Sequence, residues 1–593
     1  MITMKVTMKG HDDTQSTVLD VDNLRQQFPL LSQTVHGYPL VYLDNAATTQ
    51  KPVSVIESLD RYYREQNANV HRAAHFLSAC TTHGFEAARE TTRHFINARF
   101  TEEIIWTRGA TEAINLVASS WGRSQLKAGD EIILSRLEHH ANIVPWQLLA
   151  EVTGATIRVV ELDDAGNLDM QQFRQLLSDN TRLVAMTHTS NAIGTITPIK
   201  EVIELAHHAG ALVLVDGSQA VAHQKVDVQA LGADFYVFSG HKVYGPTGIG
   251  VLYGRRELLE NMPPWQGGGE MIEHVSFSGT RFNRLPFKFE AGTPNIAGAI
   301  GLGKALEFLA DIDVAAMQAH EHQLRQLVEE GLSQISGIRL IGQAEWKAPV
   351  VSFVSSEHHN QDIGLMLDQQ GIAVRTGHHC AMPLMEGLNL NGTVRASFAL
   401  YNTIDEARAF VDAMDKLHHS PLYIAHPEMN SDQDEEPGKT QAMISAATDL
   451  PEVFRQQAPN LATITEGLNG LSGWQERYRQ IMLLGKELPV LSGEWRSDDA
   501  RLHGCESSAW LHHHYDDETM RLYFIADSDA RVIRGLIAIV LAVFSGKTPT
   551  EIEQEDIDLW FRELDLFNHL SPSRGNGLKA IVREIQAVAH RYR

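Results

Sequence analysis

The stretch Ala211-Leu-Val-Leu-Val215 is a short run of branched apolar residues that ends at the carboxylate of Asp216. A run of this length that stops at an acid is typical of a buried strand. A second run, Asp234-Phe-Tyr-Val-Phe238, leads into Ser239-Gly-His-Lys-Val-Tyr244 and so brings Lys242 to another strand end. Because α/β folds bind their ligands beyond the carboxyl ends of the strands, we expect Asp216 and Lys242 to share one site.

An acid and a lysine at such strand ends indicate a particular cofactor. Pyridoxal 5'-phosphate (PLP) needs a carboxylate for its ring nitrogen and a lysine that forms a Schiff base. Gln219 follows Asp216 closely, and Ser239 and His241 flank the glycine beside Lys242, where they can donate to a phosphate. The alternative is an acid that caps the next helix and a lysine on the surface. The combination favours a PLP site.

Composition limits the class of protein. A chain of 593 residues exceeds a single hydrophobic core and predicts several domains. Its net charge of −24 argues against binding to nucleic acid or an anionic membrane, because either needs a basic face. The run Leu536–Phe544 is too short to span a membrane and predicts a buried helix. The three cysteines are too few for a disulfide framework. The first twenty residues have no apolar core of the kind found in a signal peptide, so we expect a cytoplasmic protein.

The chain divides into four predicted segments. Residues 1–21 form an N-terminal extension, and residues 22–418 alternate short β-branched runs with helical patterns, as in an α/β fold with a parallel sheet. Residues 419–448 hold several prolines and an acidic run, which predicts a flexible acidic linker, or alternatively a surface loop within one domain. Residues 449–593 predict a separate α+β domain, with helical patterns at both ends around a strand at Arg521–Ile525.

Other polar side chains also follow strand-like runs. Thr111 opens a helical pattern after a glycine and so suits a phosphate, although threonine is also an ordinary helix cap. His139 can stack on a flat ring, although adjacent histidines such as His139 and His140 are usually surface residues. Asn191 can donate to a phenolate oxygen. These residues extend the predicted cofactor site.

In chain order, Thr111, His139, Asn191, Asp216, Lys242 and Arg395 resemble the site residues of fold-type I PLP enzymes. The segment Arg375-Thr-Gly-His-His-Cys-Ala-Met-Pro383 resembles the active-cysteine segment of the group II cysteine desulfurases, the SufS/CsdA-like branch. Further segments resemble this branch at Tyr42–Ala47, Val70–Arg72, Glu138–Trp146, Gly240–Gly248 and Phe289–Asn295. The resemblance covers about residues 22 to 417 and implies a fold-type I transferase with a large and a small domain.

The resemblance implies a role for each matching residue. Lys242 would hold PLP and act as acid and base at the substrate Cα, Asp216 would pair with the pyridinium, and His139 would stack on the ring. The phosphate contacts would come from Ala110, Thr111, Ser239, His241 and, across a homodimer, Thr293 of the neighbouring subunit. The ring oxygen would be met by Asn191 and Gln219. The substrate L-cysteine would be bound by Arg395, Asn191, His71 and Arg375. Ala110 departs from the threonine expected there, so one hydroxyl contact is missing while the backbone donor remains.

Cys380 is the predicted nucleophile. The resemblance implies that its thiolate takes the sulfur of L-cysteine, leaving a protein persulfide and L-alanine. His378, His379 and Arg375 can favour that thiolate. The alternatives are a buried inert thiol and a metal site made of His378, His379 and Cys380; the usual metal spacings are absent, so we predict no metal. Cys80 lies in a helical pattern and is expected to pack.

The C-terminal domain carries Cys505 in Leu502-His-Gly-Cys-Glu-Ser-Ser-Ala-Trp510. A Gly-Cys turn before a strand permits an exposed reactive thiol, or a loop cysteine without a role. The domain resembles the SufE/CsdE-like sulfur acceptors over about residues 450 to 590, although Ala509 replaces a bulkier apolar residue. The matching segments are Gly504–Cys505 with Trp510, Asp527–Leu536, Gly546–Pro549 and Leu570–Leu578.

Together the two resemblances imply a natural fusion of a cysteine desulfurase with its acceptor. Cys380 would take sulfur from L-cysteine and Cys505 would receive it, for a purpose such as iron–sulfur cluster assembly on a scaffold complex. A selenocysteine lyase, an aminotransferase-like enzyme and a non-catalytic carrier or docking module are the alternatives.

Overall fold

The chain forms two compact units. The first unit comprises Met1–Val354 with Gln370–Ser420, and the second comprises Ser355–Gln369 with Pro421–Arg593. The computed structural model describes residues 18–71, 74–419, 443–444, 454, 460–469, 471, 474–502, 508–564 and 572–593. Cys505, most of the predicted linker and nearly all of the N-terminal extension therefore lie outside the described residues.

A seven-stranded sheet forms the centre of the first unit. Its strands are, in spatial order, Ile104–Thr107, Gly250–Gly254, Phe235–Ser239, Leu212–Asp216, Thr181–Thr187, Glu131–Ser135 and Thr156–Val160. Gly250–Gly254 is antiparallel to both of its neighbours, and the last five strands are parallel to one another. The predicted α/β fold with a mainly parallel sheet is confirmed.

The apolar runs are continuous because the sheet is covered on both faces. Successive side chains of a strand point to opposite faces. Accordingly, Val213 and Val215 belong to one core cluster, whereas Leu214 between them belongs to another. Helices cover a parallel sheet on both sides, so its strands contain few polar residues. The polar residues that remain therefore mark strand ends.

The helices of the first unit alternate with these strands. They are Val21–Gln26, Val53–Arg61, Phe76–Phe95, Ala110–Val117, Arg123–Gln125, Val144–Thr153, Met170–Leu176, Ile199–His208, Ala220–His223, Val228–Leu231, Arg256–Asn261, Ile296–Ala310, Val314–Ser333, Met382–Gly387 and Ile404–His419. A smaller sheet has the strand order Ile338–Ile341, Val350–Ser355, Thr393–Ser397 and Arg375–Gly377. A two-stranded ribbon is formed by Ile272–Ser276 and Gly279–Phe282.

A buried ion pair joins three parts of the first unit. Arg89, on the helix Phe76–Phe95, donates to both carboxylate oxygens of Glu290 at 2.6 and 3.0 Å. Glu290 also accepts from the backbone N–H of Trp106 at 2.8 Å. A buried charge of this kind is stable only when its partner is present. The pair thus fixes the segment before Thr293 against the edge strand.

The second unit has an α+β fold. Its hairpin pairs Ala509–Asp516 with Arg521–Ser528, which extends the strand predicted at 521–525. Met443–Ile444 pair in parallel with Val490–Leu491, so these two residues, assigned to the linker by the sequence, form a strand instead. The helices are Asn360–Asp368, Leu461–Asn469, Trp474–Glu487, Arg531–Phe544, Pro549–Gln554, Ile557–Glu563 and Pro572–Arg591.

The helix Arg531–Phe544 forms the core of the second unit and is buried along nearly its whole length. It crosses the helix Trp474–Glu487 at two glycines. A Cβ on Gly535 would lie 2.0 Å from the carbonyl oxygen of Ile481, and one on Gly485 would lie 2.7 Å from the nitrogen of Gly535. The buried helix predicted at 536–544 is confirmed. None of the helices in the described part of the chain has the length and apolar character needed to cross a membrane.

Candidate active site

A cavity of about 200 Å³ lies at the carboxyl edge of the large sheet. Twelve of the residues predicted from the sequence line it: Ala110, Thr111, His139, Asn191, Asp216, Gln219, Ser239, His241, Lys242, Arg375, Cys380 and Arg395. Asp216 and Ser239 are the last residues of their strands, and Lys242 lies on the short helical turn Gly240–Lys242 that follows. The strand ends therefore bring these side chains together, as the sequence predicts.

Asp216 and Lys242 place a carboxylate and an amine in the wall of the cavity. Asp216 is buried, and its Oδ1 accepts a hydrogen bond from the backbone N–H of Ser218 at 3.0 Å. Burial lowers the pKa of Lys242 to about 8; the Asp216 carboxylate opposes this shift, and the cations of Arg395 and Arg375 add to it. A lysine with a lowered pKa is neutral more often and so more nucleophilic.

One end of the cavity, at the start of the helix Ala110–Val117, suits a phosphate. The backbone N–H of Ala110 donates to the Ser239 hydroxyl at 2.9 Å. Gly250 permits this close approach, because a Cβ there would lie 2.5 Å from Cα of Gly109. A helix N-terminus, a serine and Thr111 together suit an anion.

His139 is neutral in this environment. Burial, with the nearby Lys242 cation as the second cause, lowers its pKa to about 4, and Asp216 opposes the shift. Its Nδ1 accepts from the backbone N–H of Ala141 at 3.1 Å. The preceding Glu138 is fully buried, and burial raises its pKa to about 8. A neutral ring held in this way suits stacking on an aromatic cofactor.

Arg395 forms a cationic wall of the cavity and is almost completely buried. Its guanidinium donates to Oδ1 of Asp44 at 2.7 Å and to the carbonyl of Asn191 at 2.8 Å. Arg375 lies directly opposite Arg395 on the neighbouring strand. Two arginines in register favour an anionic ligand between them, such as a substrate carboxylate.

Cys380 lies in a loop with an unusual backbone. His379 and Cys380 have φ angles of 53° and 58°, in the left-handed region. The side-chain amide of Asn191 donates to the carbonyl of His379 at 2.8 Å. Non-glycine residues seldom adopt this conformation unless their surroundings hold them in it. The loop is therefore held in place around the thiol.

Some predicted residues lie elsewhere. His71 does not line this cavity; its ring contacts Glu86 at 3.0 Å and packs against Phe287. Thr293 lines a separate cavity of about 490 Å³ in the same unit. Cys80 is half-buried on the helix Phe76–Phe95. Cys505 lies outside the described residues.

Two residues of the site were given no role by the sequence. Asp44, which orients Arg395, lies within a matching segment, but its partner is distant in the chain. Glu138 accepts from the amide of Asn142 at 2.7 Å and from the backbone N–H of Thr187 at 3.0 Å. In the sequence, Asp44 is an acid that follows a strand and Glu138 is an acid beside His139. Neither feature alone identifies the residue with which the acid pairs.

The cavity fits PLP. It offers an acid for the ring nitrogen, a lysine for the aldehyde, a helix start for the phosphate and a neutral histidine for the ring. The described residues that line it thus suit the ring nitrogen, the aldehyde, the phosphate and the ring face of the cofactor. Fold and site together define a PLP-dependent enzyme of fold type I.

Comparison with known proteins specifies the family. The family model "Aminotransferase class-V" matches residues 41–410, and the model "Fe-S metabolism associated domain" (SufE) matches residues 462–589. A probable cysteine desulfurase of Vibrio cholerae is 54% identical over 399 residues, which cover 67% of this chain and 98% of the relative. The chain belongs to the aminotransferase class-V family, in its cysteine desulfurase branch, and carries a SufE-type domain after it.

Solved structures agree with this assignment. The crystal structure of the cysteine desulfurase CsdA (S-sulfonic acid) from Escherichia coli is 43% identical, with a TM-score of 0.64, and the match covers 68% of this chain and 98% of that one. A mutant C-DES protein with glycine covalently linked to its PLP cofactor shares the fold at 22% identity and a TM-score of 0.57, over 66% of this chain and 98% of that one. The protein is a PLP-dependent cysteine desulfurase joined to a SufE-like domain.

Proposed function

We propose that Cys380 takes sulfur from L-cysteine and that Cys505 of the same protein receives it. The observation that supports the first step is the cavity that joins Lys242, Asp216 and Cys380 with Arg395. The SufE match over residues 462–589 supports the second step, because Cys505 lies within that match.

Lys242 would hold the cofactor and would move the proton at Cα of the substrate. Its lowered pKa of about 8 allows it to alternate between base and acid near neutral pH. Asp216 would pair with the ring nitrogen of the cofactor. When bound, PLP stabilises negative charge on the substrate carbons.

Arg395 binds the substrate carboxylate, and Arg375 strengthens this binding from the opposite strand. The Cys380 thiolate then attacks the sulfur of L-cysteine. An S–S bond forms while the Cβ–S bond breaks, and its electron pair stays with Cβ. Cβ takes up a proton and becomes the methyl group of L-alanine, while Cys380 carries the persulfide.

Thr293 supports a homodimer. It lines a cavity that includes Arg108, Glu112 and Trp265 but not Lys242. The family resemblance implies that Thr293 binds a phosphate, but Thr293 lies outside the cofactor cavity of its own subunit. It is therefore placed to bind the phosphate of the cofactor in a neighbouring subunit. The two cavities would then complete each other across the subunit interface.

The transfer to Cys505 is a thiol exchange. The Cys505 thiolate attacks the outer sulfur of the Cys380 persulfide, a new S–S bond forms on Cys505, and Cys380 leaves as a thiolate. Because the SufE family model is described as associated with Fe–S metabolism, we propose iron–sulfur cluster assembly as the use of this sulfur.

Relative turnover of L-cysteine and L-selenocysteine tests the selenocysteine lyase alternative.

Because both domains lie on one chain, we expect turnover per molecule to be independent of protein concentration. A flexible linker of the length predicted from the sequence at residues 419–448, most of which lie outside the described ranges, would reach roughly 30 Å and set an effective concentration on the order of millimolar. With L-cysteine and a reductant, turnover per molecule should stay constant on dilution of the intact chain. It should fall once the chain is cut near Asp432.

Cys505→Ser provides the matched control for this experiment. The variant should turn over slowly before and after cutting, because reductant alone then clears the persulfide. Turnover of Cys505→Ser as fast as that of the parent would refute the acceptor role and leave docking as the role of the domain. Mixed dimers of Cys380→Ser and Cys505→Ser chains distinguish transfer within a chain from transfer between chains.

A further inference from the structure

His140 makes two hydrogen bonds to the cysteine loop, one at Cys380 and one at Met382. Its backbone N–H donates to the carbonyl of Cys380 at 2.8 Å. Its ring atom Nε2 accepts a hydrogen bond from the backbone N–H of Met382 at 3.0 Å. His140 belongs to the segment after the strand Glu131–Ser135, far from the loop in sequence. One residue therefore holds the carbonyl of the nucleophile and the amide two residues later.

These contacts fix the protonation state of His140. A backbone N–H can only donate, so Nε2 must carry a lone pair, and a neutral His140 carries its proton on Nδ1. Protonation would place two N–H donors against each other and remove the hydrogen bond to Met382. The contact therefore exists only while His140 is neutral.

His378 constrains the same loop from within. Its Nδ1 accepts from the backbone N–H of Cys380 at 3.0 Å, and its ring stacks on that of His140 with centroids 5.6 Å apart. Among the described ionisable residues, His378 from the loop and His139 from its own segment have rings against that of His140, and the carbonyl of Cys380 accepts from its backbone N–H. Burial, followed by the charge of His378, lowers the pKa of His140. The neutral form is thus favoured at neutral pH.

We propose that His140 is a positioning residue for the Cys380 thiol, acting through the hydrogen bond that its Nε2 accepts from Met382. The two left-handed residues His379 and Cys380 give the loop a conformation that must be held from outside. His140 supplies that support, so that the thiol meets the substrate sulfur in the attacking geometry. The inference rests on the proposed role of Cys380 as nucleophile.

Two substitutions separate the acceptor from the bulk of the ring. His140→Gln keeps an acceptor near the position of Nε2 but does not titrate. His140→Leu keeps side-chain volume and removes the acceptor. The backbone N–H to Cys380 remains in both. Loss of one such hydrogen bond should slow single-turnover persulfide formation by about 3- to 10-fold in the Leu variant, and the Gln variant should recover most of that rate.

The pH profile gives the more specific result. Because the pKa of His140 is lowered, its acceptor is present above that pKa and is lost as the pH falls through it. The parent should therefore show an additional acid-side decline in persulfide formation that His140→Gln lacks, beyond the decline that both proteins share through their other titrating groups. KM for L-cysteine and the amount of bound PLP should be unchanged in both variants.

The outcomes distinguish this inference from the function on which it rests. A Leu variant as fast as the parent, or a Gln variant as slow as Leu, would overturn the positioning role. If Leu fails to fold, identical acid-side profiles of the parent and Gln would also overturn it. Alanine formation from L-cysteine by Cys380→Ser would instead refute Cys380 as the nucleophile, whatever the His140 variants do.

Discussion

Lys242→Ala will leave the protein without covalently held PLP. Lys242 is the lysine that lines the cavity beside Asp216, so its loss removes the attachment and the acid–base group together. General acid–base catalysis of this kind contributes about 10²- to 10⁴-fold, so turnover should fall by at least that factor. The measurement is reduction with borohydride followed by the mass of the intact protein, which should show the added cofactor in the parent and none in the variant.

Lys51→Ala is the matched control. Burial also lowers the pKa of Lys51 to about 8, but its amine contacts the carbonyl of His241 at 3.0 Å and does not line the cavity. This variant should keep a reducible covalent cofactor. A reducible cofactor in Lys242→Ala would show that the attachment site is another residue.

Cys380→Ser will form no persulfide and release no L-alanine. A serine hydroxyl cannot take up the substrate sulfur, so the loss should be complete rather than partial. Bound PLP should be retained, and its absorbance should still change on addition of L-cysteine, because Lys242 and Arg395 remain. Alanine release is measured by amino-acid analysis after a single turnover.

Cys80→Ser serves as its control, because Cys80 is the other described cysteine and is half-buried on a helix outside the cavity. This variant should release alanine at the parental rate. Metal analysis of Cys380→Ser and the parent also tests the alternative of a metal site at His378, His379 and Cys380. Metal bound by the parent and absent from the variant would favour that alternative over the nucleophile.

Much of the site follows from local sequence signals. A continuous apolar run predicts a strand buried on both faces, and the polar residue that ends it must lie at the sheet edge. As expected, Asp216 and Ser239 are the last residues of their strands, and Lys242 lines the same cavity. Parallel strands deliver their carboxyl ends to one side, so residues far apart in the chain meet without further information.

Other features depend on contacts that no local pattern encodes. Asp44 meets Arg395 across 351 positions of sequence, and His140 meets Met382 across 242. The boundaries also differ from those expected, because Met443–Ile444 pair with Val490–Leu491 and residues 355–369 belong to the second unit. Composition distinguishes a polar segment from a core, but it does not show where such a segment first pairs with a distant strand.

The most direct test of the central claim is to follow one labelled sulfur atom. The intact protein is given a single equivalent of L-cysteine labelled at sulfur, and the peptides that contain Cys380 and Cys505 are measured by mass spectrometry over time. Label is expected on Cys380 first and then on Cys505, with accumulation on Cys380 in Cys505→Ser. Label that reaches Cys505 in a Cys380→Ser protein, or that never leaves Cys380 in the parent, would contradict it.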